Sequence, residues 1–349
     1  MKLYKQIIFI LIVFFKTGTL LSENNLFNVN NIELEKKDKI TNNTLADRAI
    51  KKGFNQLIAK ILLKEDINKL SGMNFSSIKQ LVTYYQISNI SDEKKDNREY
   101  VNFSVTFDKD KIHDLFYNRG ISYSDISEKE LFILPIVIEK NEIFIFNNNF
   151  YYNNWNKIFE NDLIEFILPL ENIEIIQNIN VNKNNLIDID IDDLFQEYSS
   201  KNLAIVIIED KNLNEKKAYI KTKIQGKKIS KNLNFKKKEL SRKKFYEKII
   251  TETKKELIDL VKSVNMIDIR TPSFLKVKLE LGKKSNLVEL KSRIKNIDLI
   301  ENVFVQEFNK NSMTLRIKYL GKLNKILDEF KRENINLKLI NDQWILKAL

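Results

Sequence analysis

FLKVKLELGKKSNLVELKSRIKNIDLIENVFVQEFNKNSMTLRIKYLGKLNKILDEFKRENINLKLI, residues 274–340, switches repeatedly between two hydrophobic periods. Apolar residues alternate through Phe274–Leu281, then recur at helical spacing at Leu287, Leu290 and Ile294. Strand character returns over Ile300–Phe308, breaks at Asn309-Lys310-Asn311, and resumes with Leu315, Ile317 and Tyr319. Leu323, Ile326, Leu327 and Phe330 mark a second helix, and Asn336–Ile340 a closing strand before Trp344. The order β-α-β-β-α-β predicts a ferredoxin-like domain over 272–349, set off by Thr271-Pro272 and able to fold alone.

Upstream, residues 121–266 predict a middle α/β layered domain. Leu131-Phe-Ile-Leu-Pro-Ile-Val-Ile138 and Leu203–Ile208 are apolar throughout, the pattern of strands covered on both faces. Short strands are expected at Ile143–Phe146 and Ile164–Leu168, with helical turns at Trp155 and around Ile191–Tyr198. Two exposed alternating strands, Lys217–Ile224 and Lys228–Phe235, precede a long helix from Glu239 to Val264. Residues 26–120 predict an N-terminal α/β block. It has an edge strand at 30–35 and a helix capped by Asn43 or Thr44 with a stripe from Leu45 to Leu62. Strands near Val82–Asn89 and Tyr100–Phe107 follow, then a helix between Asp108 and Gly120. The fold class expected is therefore a multi-domain α+β and α/β chain.

Several packing motifs along this series resemble an exported proteobacterial family catalogued as a domain of unknown function. They are Ala46-Asp47-Arg48-Ala49-Ile50, Tyr100–Phe107 with Phe116…Gly120, Leu131–Pro135, Asn154-Trp155 and Phe166-Ile-Leu-Pro-Leu170. The resemblance implies export and carries no activity, cofactor or site residue. The middle block is also similar in topology to α/β domains of periplasmic envelope-assembly factors.

Composition narrows the chemistry. The chain has 349 residues, no cysteine, one histidine (His113) and seven glycines. Disulfides, thiolate nucleophiles and Cys/His metal sites are excluded. The glycines lie too far apart for a phosphate loop, a dinucleotide fingerprint or a nucleophile elbow. No cofactor, catalytic residue, metal ligand or small-molecule substrate is indicated, and a non-enzymatic protein is expected. In the run Asp188-Ile-Asp190-Ile-Asp192-Asp193, a calcium loop would need glycine sixth and glutamate twelfth. Asp193 and Ser199 stand there, so Asp190 or Asp192 is read as a helix cap. His113 beside Asp114 is read as structural.

The opening MKLYKQIIFILIVFFKTGTLLSENN has basic Lys2 and Lys5, an apolar run from Gln6 to Phe15, and small or polar residues after it. These are the three parts of a secretory signal over residues 1–22. An uncleaved inner-membrane anchor is the alternative, and a periplasmic location is expected in either case. Net charge is +12, and 51 of the 59 basic residues are lysine, as AT-rich codons favour. Between Lys211 and Lys262, 18 basic residues meet six acidic ones, so the imbalance of the whole chain falls in this stretch. Its candidate anion-binding residues are Lys227, Lys228, Lys236, Lys237, Lys238, Arg242, Lys243 and Lys244. The expected function is a binding or scaffolding module of the cell envelope, facing an envelope protein or an anionic membrane surface. The alternative is nucleic-acid binding through the basic stretch and the ferredoxin-like domain. Met313–Tyr319 lacks the glycine and paired aromatics of an RNA-recognition strand, and export opposes it, so no nucleic acid is expected.

Overall fold

The structure is a computed structural model that describes residues 26–36, 41–88, 99–126, 128–159, 163–210, 214–281 and 287–347. The segment read as an export signal, residues 1–22, and the first residue of the basic stretch, Lys211, lie outside the described residues. In chain order, β1 (Asn28–Lys36) is followed by α1 (Asn42–Ile61), the short helices α2 (Lys64–Ile67) and α3 (Phe75–Gln80), β2 (Val82–Ser88), β3 (Glu99–Phe107) and α4 (Lys109–Arg119). The middle stretch holds β4 (Tyr123–Ser124), β5 (Glu130–Glu139), β6 (Glu142–Phe144), α5 (Phe150–Asn154), β7 (Glu165–Ile167), α6 (Ile173–Val181) and α7 (Ile191–Leu194). It continues through β8 (Leu203–Asp210), β9 (Glu215–Ile224), β10 (Lys227–Lys236) and α8 (Arg242–Val264). The last stretch has β11 (Met266–Ile267), β12 (Ser273–Glu280), α9 (Leu287–Lys295), β13 (Ile300–Phe308), β14 (Ser312–Tyr319), α10 (Leu323–Arg332), β15 (Asn336–Ile340) and β16 (Gln343–Lys347). The class is α+β, and among the described residues no helix is long and apolar enough to cross a membrane.

Two compact units result: one runs from Ser124 to Asn265, the other joins the described residues up to Tyr123 with those from Met266 onward. The outer two of the three sequence blocks thus meet in one unit with one core, where Phe54, Phe103 and Phe116 share a cluster with Val277, Ile317 and Phe330. In its first sheet, ordered β1-β3-β2, α1 lies against β1 so closely that a Cβ on Gly53 would come within 2.8 Å of Ile32 Cδ1. The helix starts earlier than the sequence suggested, capped by Thr41, whose hydroxyl accepts from Thr44 N at 3.3 Å. Asp108 and Gly120 bound α4 as expected, with Gly120 left-handed at φ 60°.

The second sheet of this unit has five strands in the order β13-β14-β12-β16-β15. All neighbours are antiparallel except β12 and β16, which are parallel. Here the structure departs from the βαββαβ reading. The strand Asn336–Ile340 does not close on β12; it turns through Asn341 and Asp342, both at positive φ, into β16. That two-residue left-handed turn is a hairpin signal. β16 takes the place beside β12 and buries Leu346 completely, while β15 is left at the edge.

The other unit is a three-layer sandwich around the strand order β10-β9-β8-β5-β6, with β7 also pairing β5. Alternate residues of β5 and β8 feed two separate cores. Ile133 and Val206 pack with α8 through Ile249 and Leu257, while Leu134 and Ile205 pack with Ile179, Leu194 and Phe195. Pro135 sits where β5 pairs only β8, between the stretches aligned with β7 and β6, so its missing N–H interrupts no ladder on that side. The buried side chain of Asn149 fills the interval, its Nδ2 lying 2.8–3.1 Å from the carbonyls of Pro135, Phe144 and Ile145. Its Oδ1 accepts from the backbone N–H of Tyr151 and Tyr152, capping α5.

Candidate functional site

The lysine-rich stretch forms the β9–β10 hairpin and the start of α8. Strand alternation sorts the lysines of β9: Lys216 points with Ala218 and Ile220 toward the α8 core, whereas Lys221 and Lys223 lie on the opposite face. β9 is not the exposed strand its sequence suggested. It runs inside the sheet; Lys217 stays exposed, Lys216 is buried, and Lys221 and Lys223 are half-buried because other groups receive them. Lys221 Nζ donates to the carbonyls of Ile187 and Ile189 at 2.8 and 2.7 Å.

Those carbonyls flank Asp188 at the start of the acidic run, so the fold joins two motifs that the sequence kept apart. Asp190 caps α7 by accepting from Asp192 N at 3.0 Å. Lys228 reaches Asp190 at 2.8 Å and Asp192 at 3.0 Å, and Lys223 reaches Asp192 at 2.5 Å. The hydrogen bond from Lys228, helped by Asp192 N, holds the Asp190 carboxyl below the usual carboxylate range. Lys223 and then Lys228 do the same for Asp192. The Lys228 ammonium is pushed up by the same two carboxylates.

The eight candidate residues divide into two groups separated by the length of β10, roughly 30 Å for ten residues. Lys227 and Lys228 lie at the hairpin turn, the other six at the far end and the start of α8. Three are engaged: Lys228 as above, Lys236 with Glu215 at 3.6 Å, and Arg242 with Glu139 at 3.8 Å. Lys227, Lys237, Lys238, Lys243 and Lys244 have no carboxylate within 4.0 Å among the described residues. Ser241 caps α8 by accepting from Lys244 N at 3.3 Å, which fixes the direction of the last group.

Next to Arg242 lies a polar cluster that sequence reading missed. Glu139 and Asp210 are register partners at the carboxyl ends of the parallel strands β5 and β8. Buried Lys216 pairs with Asp210, and the Tyr246 hydroxyl donates to Asp210 at 3.0 Å while accepting from Arg242 Nε at 2.8 Å. Burial, then the hydrogen bond to Asp210, pushes the Tyr246 hydroxyl up against the lowering hydrogen bond from Arg242; burial, then the charges of Tyr246 and Asp210, pushes up Tyr151 beside it. The visible signal was Lys216 itself, a lysine in phase with Ala218, Ile220 and Ile224, which demands a buried carboxylate. Each ionised group here is met by another, so the cluster ties strand ends to α8 rather than presenting a reactive group.

His113 is buried on α4, with Nε2 3.2 Å from the Tyr123 hydroxyl and Nδ1 3.4 Å from Glu301 of β13. That imidazole, and Lys109 at 3.8 Å, keep the Glu301 carboxyl low. The contact joins the first and third blocks within their common unit. A groove beside α6 has an acidic rim of Glu171, Glu174, Asp193 and Glu197, with Leu170 exposed next to it. Among the described residues no three His, Cys, Asp or Glu side chains are grouped to hold a metal ion.

Compared with known protein families, curated proteins and solved structures, the chain matches none.

Proposed function

We propose that the chain is a non-catalytic binding module of the cell envelope, exported through residues 1–22, that engages an anionic partner through the cationic end of β10 and α8. The observation that carries this reading is the contrast inside the basic stretch. Lys221, Lys223, Lys228 and Lys231 are absorbed by carbonyls and carboxylates of the fold, Lys231 by Glu256. Lys237, Lys238, Lys243 and Lys244 are left without a carboxylate where three cations already crowd the first turn of a helix. Cations at that end oppose the helix dipole at about 0.3–1 kcal/mol each, so local stability does not favour them. An anion held there offsets both the dipole and the mutual repulsion. The likeness to the exported proteobacterial family, and the reading of the five-stranded sheet as a ferredoxin-like plait enlarged by a hairpin, belong to the same proposal.

Two measurements test it. Residues 1–30 fused to a reporter active only outside the cytoplasm should give activity; a silent fusion removes the envelope from the reading. The full chain should bind polyglutamate at low salt, with affinity falling as salt rises. The variant K237E/K238E/K243E/K244E should lose that binding while melting within a few degrees of wild type, because exposed charges contribute little to stability. Equal binding by the variant assigns the lysines no function.

A further inference from the structure

One face of the five-stranded sheet is buried: Val277, Leu279, Ile317 and Leu346 share a core with Ile326 and Phe330 of α10. The pairing register fixes what faces the other way. Lys276 and Lys278 of β12, Arg316 and Lys318 of β14 and Lys338 of β15 all lie on this outer face, against two carboxylates, Glu280 and Glu307. Among the described residues Lys276, Lys278, Arg316 and Lys338 have no carboxylate within 4.0 Å. None of the five cations adjoins another in sequence. They alternate with core residues, so the patch is invisible to a count of charge along the chain. Three large apolar side chains share the face and stay open to solvent: Phe274 at 47%, Phe304 at 48% and Ile340 at 44% exposed.

We infer that this outer sheet face is a docking surface for an anionic phospholipid bilayer, the cations meeting headgroup phosphates and Phe274, Phe304 and Ile340 entering the interfacial layer. The inference rests on the envelope reading above and adds a second surface, on the other unit. Charge complementarity selects a polyanion. The apolar residues select a bilayer over a single-stranded nucleic acid. The Arg316 guanidinium lies 3.9 Å from the Phe274 ring centroid, so that ring face is already covered and gives no base a stacking platform. Ile340 offers no π-face. Phe304 and Ile340 stand on opposite edge strands, about 19 Å apart across five strands, a spread suited to a plane rather than to the track of one strand.

The test is co-sedimentation of the full chain with vesicles of phosphatidylglycerol and phosphatidylcholine, against phosphatidylcholine alone. Wild type should partition onto the anionic vesicles. K276E/R316E/K338E should weaken partitioning by about tenfold or more. F274S/F304S, which keeps every charge, should weaken it too and leave the salt dependence unchanged. All five substituted positions, Phe274, Lys276, Phe304, Arg316 and Lys338, are exposed, and thermal melting checks that each protein is folded. Wild-type binding that neither variant reduces overturns the inference while the envelope reading stands. Wild type that ignores anionic vesicles also overturns it, whereas the envelope reading falls only with the silent reporter fusion. Binding of oligothymidylate by wild type, lost in K276E/R316E/K338E with no vesicle binding, identifies a nucleic acid as the occupant and overturns the bilayer.

Discussion

Lys216 has only 2% of its surface exposed, in a chain where lysine is the commonest way to keep a strand wet. Its ammonium is held by Asp210 and lies 5.0 Å from the centroid of the Tyr246 ring. Removing one member of a buried pair leaves the other uncompensated, at a cost of roughly 3–5 kcal/mol. K216M should therefore lower the melting temperature strongly. K216M/D210L should recover much of the loss, because the Tyr246 hydroxyl still accepts from Arg242 Nε. Calorimetry of wild type, both single variants and the double variant measures the coupling. A double variant as unstable as the sum of the two single variants shows that the pair is not what holds Lys216 in place. The same logic applies to Asn149, which the sequence does not distinguish from its neighbours Asn147 and Asn148. Its importance comes from an interval between β6 and β7 that exists only once the sheet has formed.

At the scale of elements, periodicity located most of what is there. Strands buried on both faces, such as β5 and β8, and stripes such as that of α1 are written in the positions of their apolar residues. What periodicity could not supply was neighbourhood. It predicted β9 as exposed because lysines alternate along it, yet that strand is internal and its lysines meet the 187–192 segment. It found the strand Asn336–Ile340 but not that β16 displaces it from β12. Sheet edges show the difference most clearly. The free edge strand β10 carries Lys227, Lys228, Lys231 and Lys236, charges of the kind that discourage pairing with another chain. The free edge strand β13 carries no cation, and Val303, Phe304, Val305 and Phe308 are 37–67% exposed. V305K should reduce concentration-dependent light scattering on warming and change stability by less than about 0.5 kcal/mol, as at other surface sites. Unchanged scattering means that β13 is not the adhesive edge.

For the molecule as a whole, the decisive fact is that the chain leaves one unit at Tyr123 and returns to it at Met266. Sequence reading placed boundaries close to both points, at the helix end Gly120 and at Thr271-Pro272, a few residues beyond the Asn265 cap of α8. It had no means of seeing that the flanking blocks share a core, because a stripe of buried residues does not name its partner. Phe107 and Ile112 belong to the same cluster as Leu299 and Leu320, and Lys109 donates to the Asp298 carbonyl across 189 positions of sequence. Residues 270–349 expressed alone should therefore expose part of that core, bind a hydrophobic dye and melt over a broad range. The short strands β4 and β11 pair with each other, which brings the two crossing points within about 5 Å. A chain in which a short Gly/Ser linker replaces 126–264 should accordingly fold and melt sharply. Glu301 gives that melt a pH signature. Its carboxyl is low in the folded state because of His113 and Lys109, so its contribution is full above the unfolded value near 4.5 and is lost as pH falls through the folded value. E301Q should flatten this acid limb in the linked chain. A sharp melt of 270–349 alone, at the temperature of the linked chain, shows instead that the shared cluster is an interface between two autonomous domains.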